Sequence, residues 1–242
     1  MKRVMSYVSI GLLIWLTTSK VSVASDLKVI TIEIAPWAYR QDVTGEYLGI
    51  FPHIVKELEK RTNRTIKITL SPYARINKEL ESGRQDCTIL VSDVKRQEIT
   101  EKGEFLFDHP VGVLAKKGVT LRSYSDISDL RITLLRGSSI SPKFDADQEL
   151  KKEFDTDYLI SLRKLQHGRV DAIAGAIPTV QYLAKNNGMA DMLGNPLELN
   201  VEPIYLQCSK NSEMIKDMKD LNDAIKSIRD DSTLHRILLD NT

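Results

Sequence analysis

The stretch Cys87-Thr88-Ile89-Leu90-Val91-Ser92-Asp93-Val94-Lys95-Arg96-Gln97-Glu98 decides how this chain is read. Its first five residues are an apolar run that predicts a buried strand. The residues just beyond, Ile99-Thr100-Glu101-Lys102, predict a short helix. A strand that ends in small polar residues and hands over to an arginine in a first helical turn makes an anion site. Free N–H groups and the helix dipole favour negative charge there, and a guanidinium grips a carboxylate through two parallel bonds. Taken alone, an exposed arginine in a charged loop explains the same residues. The surrounding chain favours the anion site.

Upstream, Leu27–Ile34 alternates and is rich in β-branched residues, which predicts a first strand. Ala35-Pro36-Trp37-Ala38-Tyr39 ends it with a proline and two aromatics. Pro52–Thr62 carries one apolar face and predicts a helix, Thr65–Leu70 a second strand, and Ala74–Ser82 a helix stopped by Gly83. The order strand–helix–strand–helix–strand predicts a mostly parallel sheet with helices on its faces. Ligands of such sheets sit beyond the carboxyl ends of the strands, where Pro36–Tyr39, Ser71–Tyr73 and Ser92–Arg96 all fall. Downstream, Val111–Ala115 and Arg131–Leu135 predict strands, and Arg136-Gly137-Ser138-Ser139 a second strand-to-helix junction rich in hydroxyls. Tyr158–Ile160 predicts a short strand, Leu162–His167 a helix, Asp171–Ile177 a strand, and Pro178–Lys185 a helix. Glu202–Cys208 predicts a last strand before two closing helices.

The chain has 242 residues, 42% of them hydrophobic and 28% charged, enough for one large or two small cores. Lys2 and Arg3, the apolar block Ile10–Leu16 and the small residues Ser22-Val23-Ala24 have the pattern of a cleaved secretory signal peptide over residues 1–25. An exported, soluble, periplasmic protein is the expectation. Loss of that leader moves the formal charge from +1 to −2, because it holds three basic residues and no acid. A near-neutral chain without a basic tract excludes nucleic acid as a partner. His53, His109, His167 and His235 lack metal-ligand spacing, so neither a metal nor any other cofactor is expected. Cys87 and Cys208, in an oxidising compartment, are compatible with one disulfide.

Several short motifs, in this order, resemble the bacterial extracellular solute-binding proteins of family 3, the polar-amino-acid type. They are Ala35-Pro36-Trp37, Gly49, Leu80–Asp86, Asp93–Glu98, Arg136–Ser139 and His167–Ala172. The resemblance spans nearly the whole chain after the leader. It implies an α/β, two-lobed periplasmic-binding-protein fold of type II, each lobe a mostly parallel sheet flanked by helices. The first lobe would hold 26–109 and 205–242, and the second 110–204, joined by crossovers near Phe107–Val111 and Val201–Tyr205. The lobes would close on a small carboxylate-bearing solute, an amino acid or a relative. The protein would be a monomer that delivers this solute to an inner-membrane permease of the ABC type.

Carried over onto this chain, the resemblance puts Arg96 on the solute carboxylate, with Ser138 and Ser139 offering hydroxyl and N–H groups from the second lobe. Tyr73 would cover the solute side chain, Ser92 or Thr88 would supply a hydroxyl, and Trp37 and Tyr39 would line the cleft. Packing alone also accounts for Trp37 and Tyr73, and helix capping for Ser138 and Ser139. The family's acid for an α-ammonium is replaced here by Ala176, so Glu33 or Asp93 would have to supply that charge, or the solute lacks an amine. The resemblance also puts the strand of Cys208 beside that of Cys87. Two rivals share the fold: a periplasmic dehydratase of prephenate-like acids, with Glu33 or His53 as its acid or base, and a soluble sensory module.

Overall fold

The computed structural model describes residues 26–241; the expected leader lies outside the described residues. The chain opens with β1 (Leu27–Ile32) and a small hairpin of β2 (Tyr39–Arg40) and β3 (Tyr47–Leu48). There follow α1 (Ile50–Thr62), β4 (Ile66–Ser71), α2 (Tyr73–Glu81), β5 (Cys87–Val91) and α3 (Val94–Ile99). The long β6 (Thr100–Ala115) leads to β7 (Arg131–Leu135), α4 (Pro142–Ala146), β8 (Lys151–Asp155) and α5 (Tyr158–Gln166). Next come β9 (Ala172–Ala176), α6 (Ile177–Asn186), the long β10 (Leu197–Ser209), α7 (Met218–Asp230) and α8 (Thr233–Asn241).

The eight main strands lie in the order β4-β1-β5-β10-β6-β9-β7-β8. Pairing is parallel among β4, β1 and β5 and among β9, β7 and β8. The middle is antiparallel, where β10 pairs with β5 and β6, and β6 with β9. β6 and β10 are thus the two connections between the lobes, and they run side by side.

Each lobe has apolar cores on both faces of its part of the sheet. One cluster packs α1, α7 and α8 through Phe51, Ile54, Leu58, Leu221 and Ile225, and a smaller one packs α2 through Ile76 and Leu80. The other lobe centres on Ile127, Ile132 and Phe144 on one face and on Leu162, Ile173 and Val180 on the other. Fully burying one such side chain contributes about 1.5–3 kcal/mol before conformational entropy is counted.

Two expectations are corrected. The helix after β5 spans Val94–Ile99, and Thr100–Lys102 is strand. Asp93 accepts a hydrogen bond from the Arg96 N–H and starts the helix early. The extended backbone at Thr100 ends it, and Lys102 and Thr100 pair with β10. Likewise Tyr158–Ile160 is the first turn of α5, because Asp157 caps it at the Ile160 N–H. The strand of that region is the charged β8, whose polar surface suits the sheet edge it occupies.

Cys87 and Cys208 face each other across β5 and β10 and form a disulfide. Asp86 accepts bonds from the Lys28 N–H and the Ser212 hydroxyl, and Asp171 holds Arg131 and Lys116. Both aspartates fix strand entries and do not line the cleft.

Candidate functional site

A cleft of about 690 Å³ opens between the lobes, at the carboxyl ends of β1, β5, β7 and β9 and over the middle of β6 and β10. Among the expected site residues, Trp37, Tyr73, Ser92, Ser138 and Ser139 line it.

The loop after β1 places Trp37. Its carbonyl and that of Pro36 accept the Phe51 and Ile50 N–H groups at the start of α1. Gly49 makes this approach possible: its φ is 111°, and a Cβ there would lie 2.5 Å from the Pro36 carbonyl oxygen. The indole stacks near Phe107 and meets the His109 ring edge-on at 4.7 Å. Its Nε1 donates to Thr179 Oγ1 at 2.7 Å, joining the first loop to α6 of the other lobe.

Arg96 is fully buried and does not reach the cleft surface. It lies directly behind the wall that Tyr73, Asp93 and Val91 form. Its Nη1 donates to the Val91 carbonyl, and its Nη2 sits 2.9 Å from Asp93 Oδ2. The Tyr73 ring covers the guanidinium at 5.2 Å, and its hydroxyl donates to Asp93 Oδ2 at 3.2 Å. Burial pushes the Tyr73 hydroxyl up, with the Arg96 charge pulling against it. Arg96 Nε has no hydrogen-bond acceptor, and Nη2 meets Asp93 as an ion pair without hydrogen-bond alignment. The guanidinium is therefore neutralised within its own loop and keeps unused donor capacity.

The second-lobe junction is also satisfied internally. Ser138 Oγ donates to the Leu135 carbonyl, while Asp145 accepts from Ser139 Oγ and the Ile140 N–H. Asp145 thus occupies donors that were expected to face a solute anion.

Other expectations are corrected by position. Tyr39 lies in β2, beyond the reversal that follows Trp37. It borders a separate depression of about 230 Å³ with Tyr182 and Asn241. A hydrogen bond with Tyr39, after burial, helps push the Tyr182 hydroxyl up to about 12. Thr88 is fully buried within β5, so Ser92, whose Oγ is unpartnered, is the hydroxyl at the cleft. Glu33 is exposed and outside the cleft, and His53 contacts Asn241 instead. Asp93 does line the cleft, but Arg96 and Tyr73 already engage it.

Cleft residues missed from sequence include His109, Arg136, Tyr158, Thr179 and Glu202. Tyr158 Oη accepts the Ala176 N–H at 3.1 Å, and a Cβ on Gly175 would lie 2.2 Å from that oxygen. Burial pushes this hydroxyl up to about 12. Glu202 and His109 are register partners on β10 and β6, so both side chains share one face of the sheet. Burial, helped by the Asp145 charge, raises the Glu202 carboxyl, and burial lowers the His109 imidazole to about 4. His109 Nδ1 has no partner. The readable signal was that each precedes a proline in a crossover, His109-Pro110 and Glu202-Pro203. Among the described residues, no group of three or more His, Cys, Asp or Glu could hold a metal ion.

Known structures share this architecture. An ancestral arginine-binding protein bound to arginine superposes with a TM-score of 0.74 at 19% identity, covering 90% of this chain and 99% of that one. A histidine kinase sensor domain similar to periplasmic binding proteins gives 0.75 at 13%, covering 90% and 96%. The arginine-, lysine-, histidine-binding protein ArtJ of Geobacillus stearothermophilus gives 0.70 at 18%, covering 89% and 94%. At these identities the likeness establishes the fold. A search of curated protein sequences finds no match. The sequence profile of the bacterial extracellular solute-binding proteins, family 3, matches residues 27–240, and the chain belongs to that family.

Proposed function

We propose that this protein captures a small carboxylate-bearing solute, an amino acid or a relative, between two hinged lobes. The lobes comprise 26–109 with 205–242, and 110–204. The observation that carries this reading is the cleft itself, walled by both lobes and bridged at one end by Trp37 and Thr179. Arg96 is the carboxylate anchor, held behind Tyr73 with Nε unused, and Ser92 offers its unpartnered hydroxyl; Ser138 and Ser139 join the grip by giving up their bonds to Leu135 and Asp145. β6 and β10 bend as the hinge. The leader takes the chain to the periplasm, and the loaded protein delivers its solute to an ABC-type permease. Among the described residues no helix is long and apolar enough to cross a membrane.

Binding is favoured over dehydration because the family is one of solute-binding proteins, and because Glu33 and His53, the acid or base named for dehydration, lie outside the cleft. A turnover assay with prephenate and arogenate should therefore show no product. The test of the binding reading is a thermal-shift screen of amino acids, dicarboxylates and small peptides. At least one solute should raise the melting temperature by linkage, and Arg96→Ala should abolish that shift. Undiminished shifts in the variant would remove Arg96 from the mechanism.

A further inference from the structure

Arg96 is sealed, yet the cleft keeps one open cation. Among the described residues that line it, Arg136 is the sole lysine or arginine. It directly follows β7, and its N–H donates to the Asp155 carbonyl at 2.9 Å, which fixes its backbone to the sheet. Its side chain is exposed and, among the described residues, forms neither a hydrogen bond nor an ion pair. Two acids share the cleft lining with it. Asp93 pairs with Arg96, and Glu202 makes no ion pair with Arg136.

The loop that follows adds donors. Gly137 turns the chain at a φ of 81°, and a Cβ there would meet no atom within 4 Å, so this side of the loop is open. Among the described residues, neither the Gly137 N–H nor the Ser139 N–H has an acceptor. A planar guanidinium beside two free N–H groups suits a carboxylate. Arg96 has no exposed surface, and a solute oxygen reaches it only after Tyr73 or Asp93 gives way. Asp93 can give way without being stranded, because it still accepts from the Tyr73 hydroxyl, the Asn77 amide and the Arg96 N–H.

From this contrast we infer that Arg136 is the residue on which the solute carboxylate lands first, so that capture begins on the second lobe. Arg96 engages afterwards, when closure carries the bound anion against Tyr73 and the anion displaces Asp93 from the guanidinium. The two arginines then hold one carboxylate from opposite lobes, with the Asp93–Arg96 pair as the gate between encounter and closure. This inference rests on the solute-binding reading above, and it gives a role to a residue that the family resemblance leaves without one.

The test has two arms. In the first, the unaltered protein is treated with phenylglyoxal, which modifies accessible guanidinium groups, and the modified arginines are mapped by mass spectrometry. Arg136 should react and Arg96 should not. In the second, the common L-amino acids, succinate and glutarate are titrated calorimetrically into wild type, Arg136→Gln, Arg136→Lys and Arg96→Ala. Probes that bind wild type should protect Arg136 from phenylglyoxal. They should bind about 10- to 100-fold more weakly to Arg136→Gln, and Arg136→Lys should recover part of the loss. Stopped-flow mixing, followed by Trp37 emission, separates the two arginines. An exposed charge acts on encounter, so Arg136→Gln should slow association about tenfold and flatten its salt dependence, whereas Arg96→Ala should chiefly speed dissociation. A probe that binds Arg136→Gln at the wild-type rate and affinity, while Arg96→Ala loses it, would overturn the inference and leave the solute-binding reading standing. So would labelling of Arg96 in place of Arg136, a result read on the unaltered protein. Silence from every probe would count against the solute-binding reading itself and take this inference with it.

Discussion

Trp37 and Thr179, 142 residues apart, are joined by a 2.7 Å hydrogen bond from indole to hydroxyl that ties the first lobe to the second. Trp37 is also the sole tryptophan after residue 25. A hydrogen bond of this kind contributes about 1 kcal/mol, roughly a fivefold bias in an open–closed equilibrium. Thr179→Val keeps the shape and removes the acceptor. We expect the solute-free variant to populate open forms more, visible as a larger radius of gyration in small-angle scattering and a shifted Trp37 emission. Identical scattering and emission would show that the bond does not hold the lobes together.

The disulfide between Cys87 and Cys208 closes a sequence separation of 121 residues and pins β5 to β10. Thiol titration of the denatured, unreduced protein should find no free thiol. The double variant Cys87→Ala/Cys208→Ala should lose about 2–4 kcal/mol in urea unfolding, since the cross-link restrains the unfolded chain. A midpoint unchanged by the double variant would contradict this.

Asp93 both caps α3 and neutralises Arg96. Asn is an equally good cap, so Asp93→Asn should keep the cap while removing the charge, at a cost in stability because the buried Arg96 guanidinium loses its counter-ion. The released guanidinium should then bind carboxylates about tenfold more tightly, as measured by titration. Unchanged affinity would mean that Arg96 remains sealed behind Tyr73 whatever the charge of its partner.

His109 is buried neutral, with its imidazole lowered to about 4. The unfolded chain protonates histidine near 6.5, so the unfolded state binds the extra proton first. The stabilising effect is complete above pH 6.5, falls as the pH drops, and levels off below about 4, a total of about 3 kcal/mol. Glu202, whose carboxyl is raised, works in the opposite sense, losing stability as pH climbs past the ordinary carboxyl range. The difference in unfolding free energy between wild type and His109→Gln isolates the first effect. It should shrink steadily from pH 6.5 to 4; a flat difference would mean that the imidazole protonates freely in the fold.

Gly175 lies in β9 against the Tyr158 hydroxyl, where an added Cβ would come within 2.2 Å of Oη. Tyr158 is buried and bonded to the Ala176 N–H, so it has little room to retreat. Gly175→Ala should cost about 1–3 kcal/mol in thermal or urea unfolding. Its pairing with Tyr158→Phe should recover part of that, because the clashing oxygen is gone.

Much of this fold was legible because its strands and helices announce themselves by period. The parallel units around β1, β4 and β5 follow from alternating and apolar runs, and Gly83 and Pro178 mark a helix end and a helix start. β8 escaped because an edge strand need not be apolar, and α5 began early because Asp157 caps a turn whose residues favour strand. Of the candidate site, the Arg96 loop was legible from its strand-to-helix junction. The neutralising partners were not, because Asp93 and Asp145 act through hydrogen bonds within their own loops, which polarity alone does not distinguish from surface charge. Glu202 and His109 were hidden for another reason. They come together only through the register of two strands far apart in the chain.

Hydrogen–deuterium exchange at saturating concentration of the solute that most raises the melting temperature tests the central claim most directly. Closure on a bound solute predicts simultaneous protection of both walls, residues 71–97 on one side and 135–140 with 175–180 on the other. Protection confined to one wall, or lying outside the cleft, would contradict it.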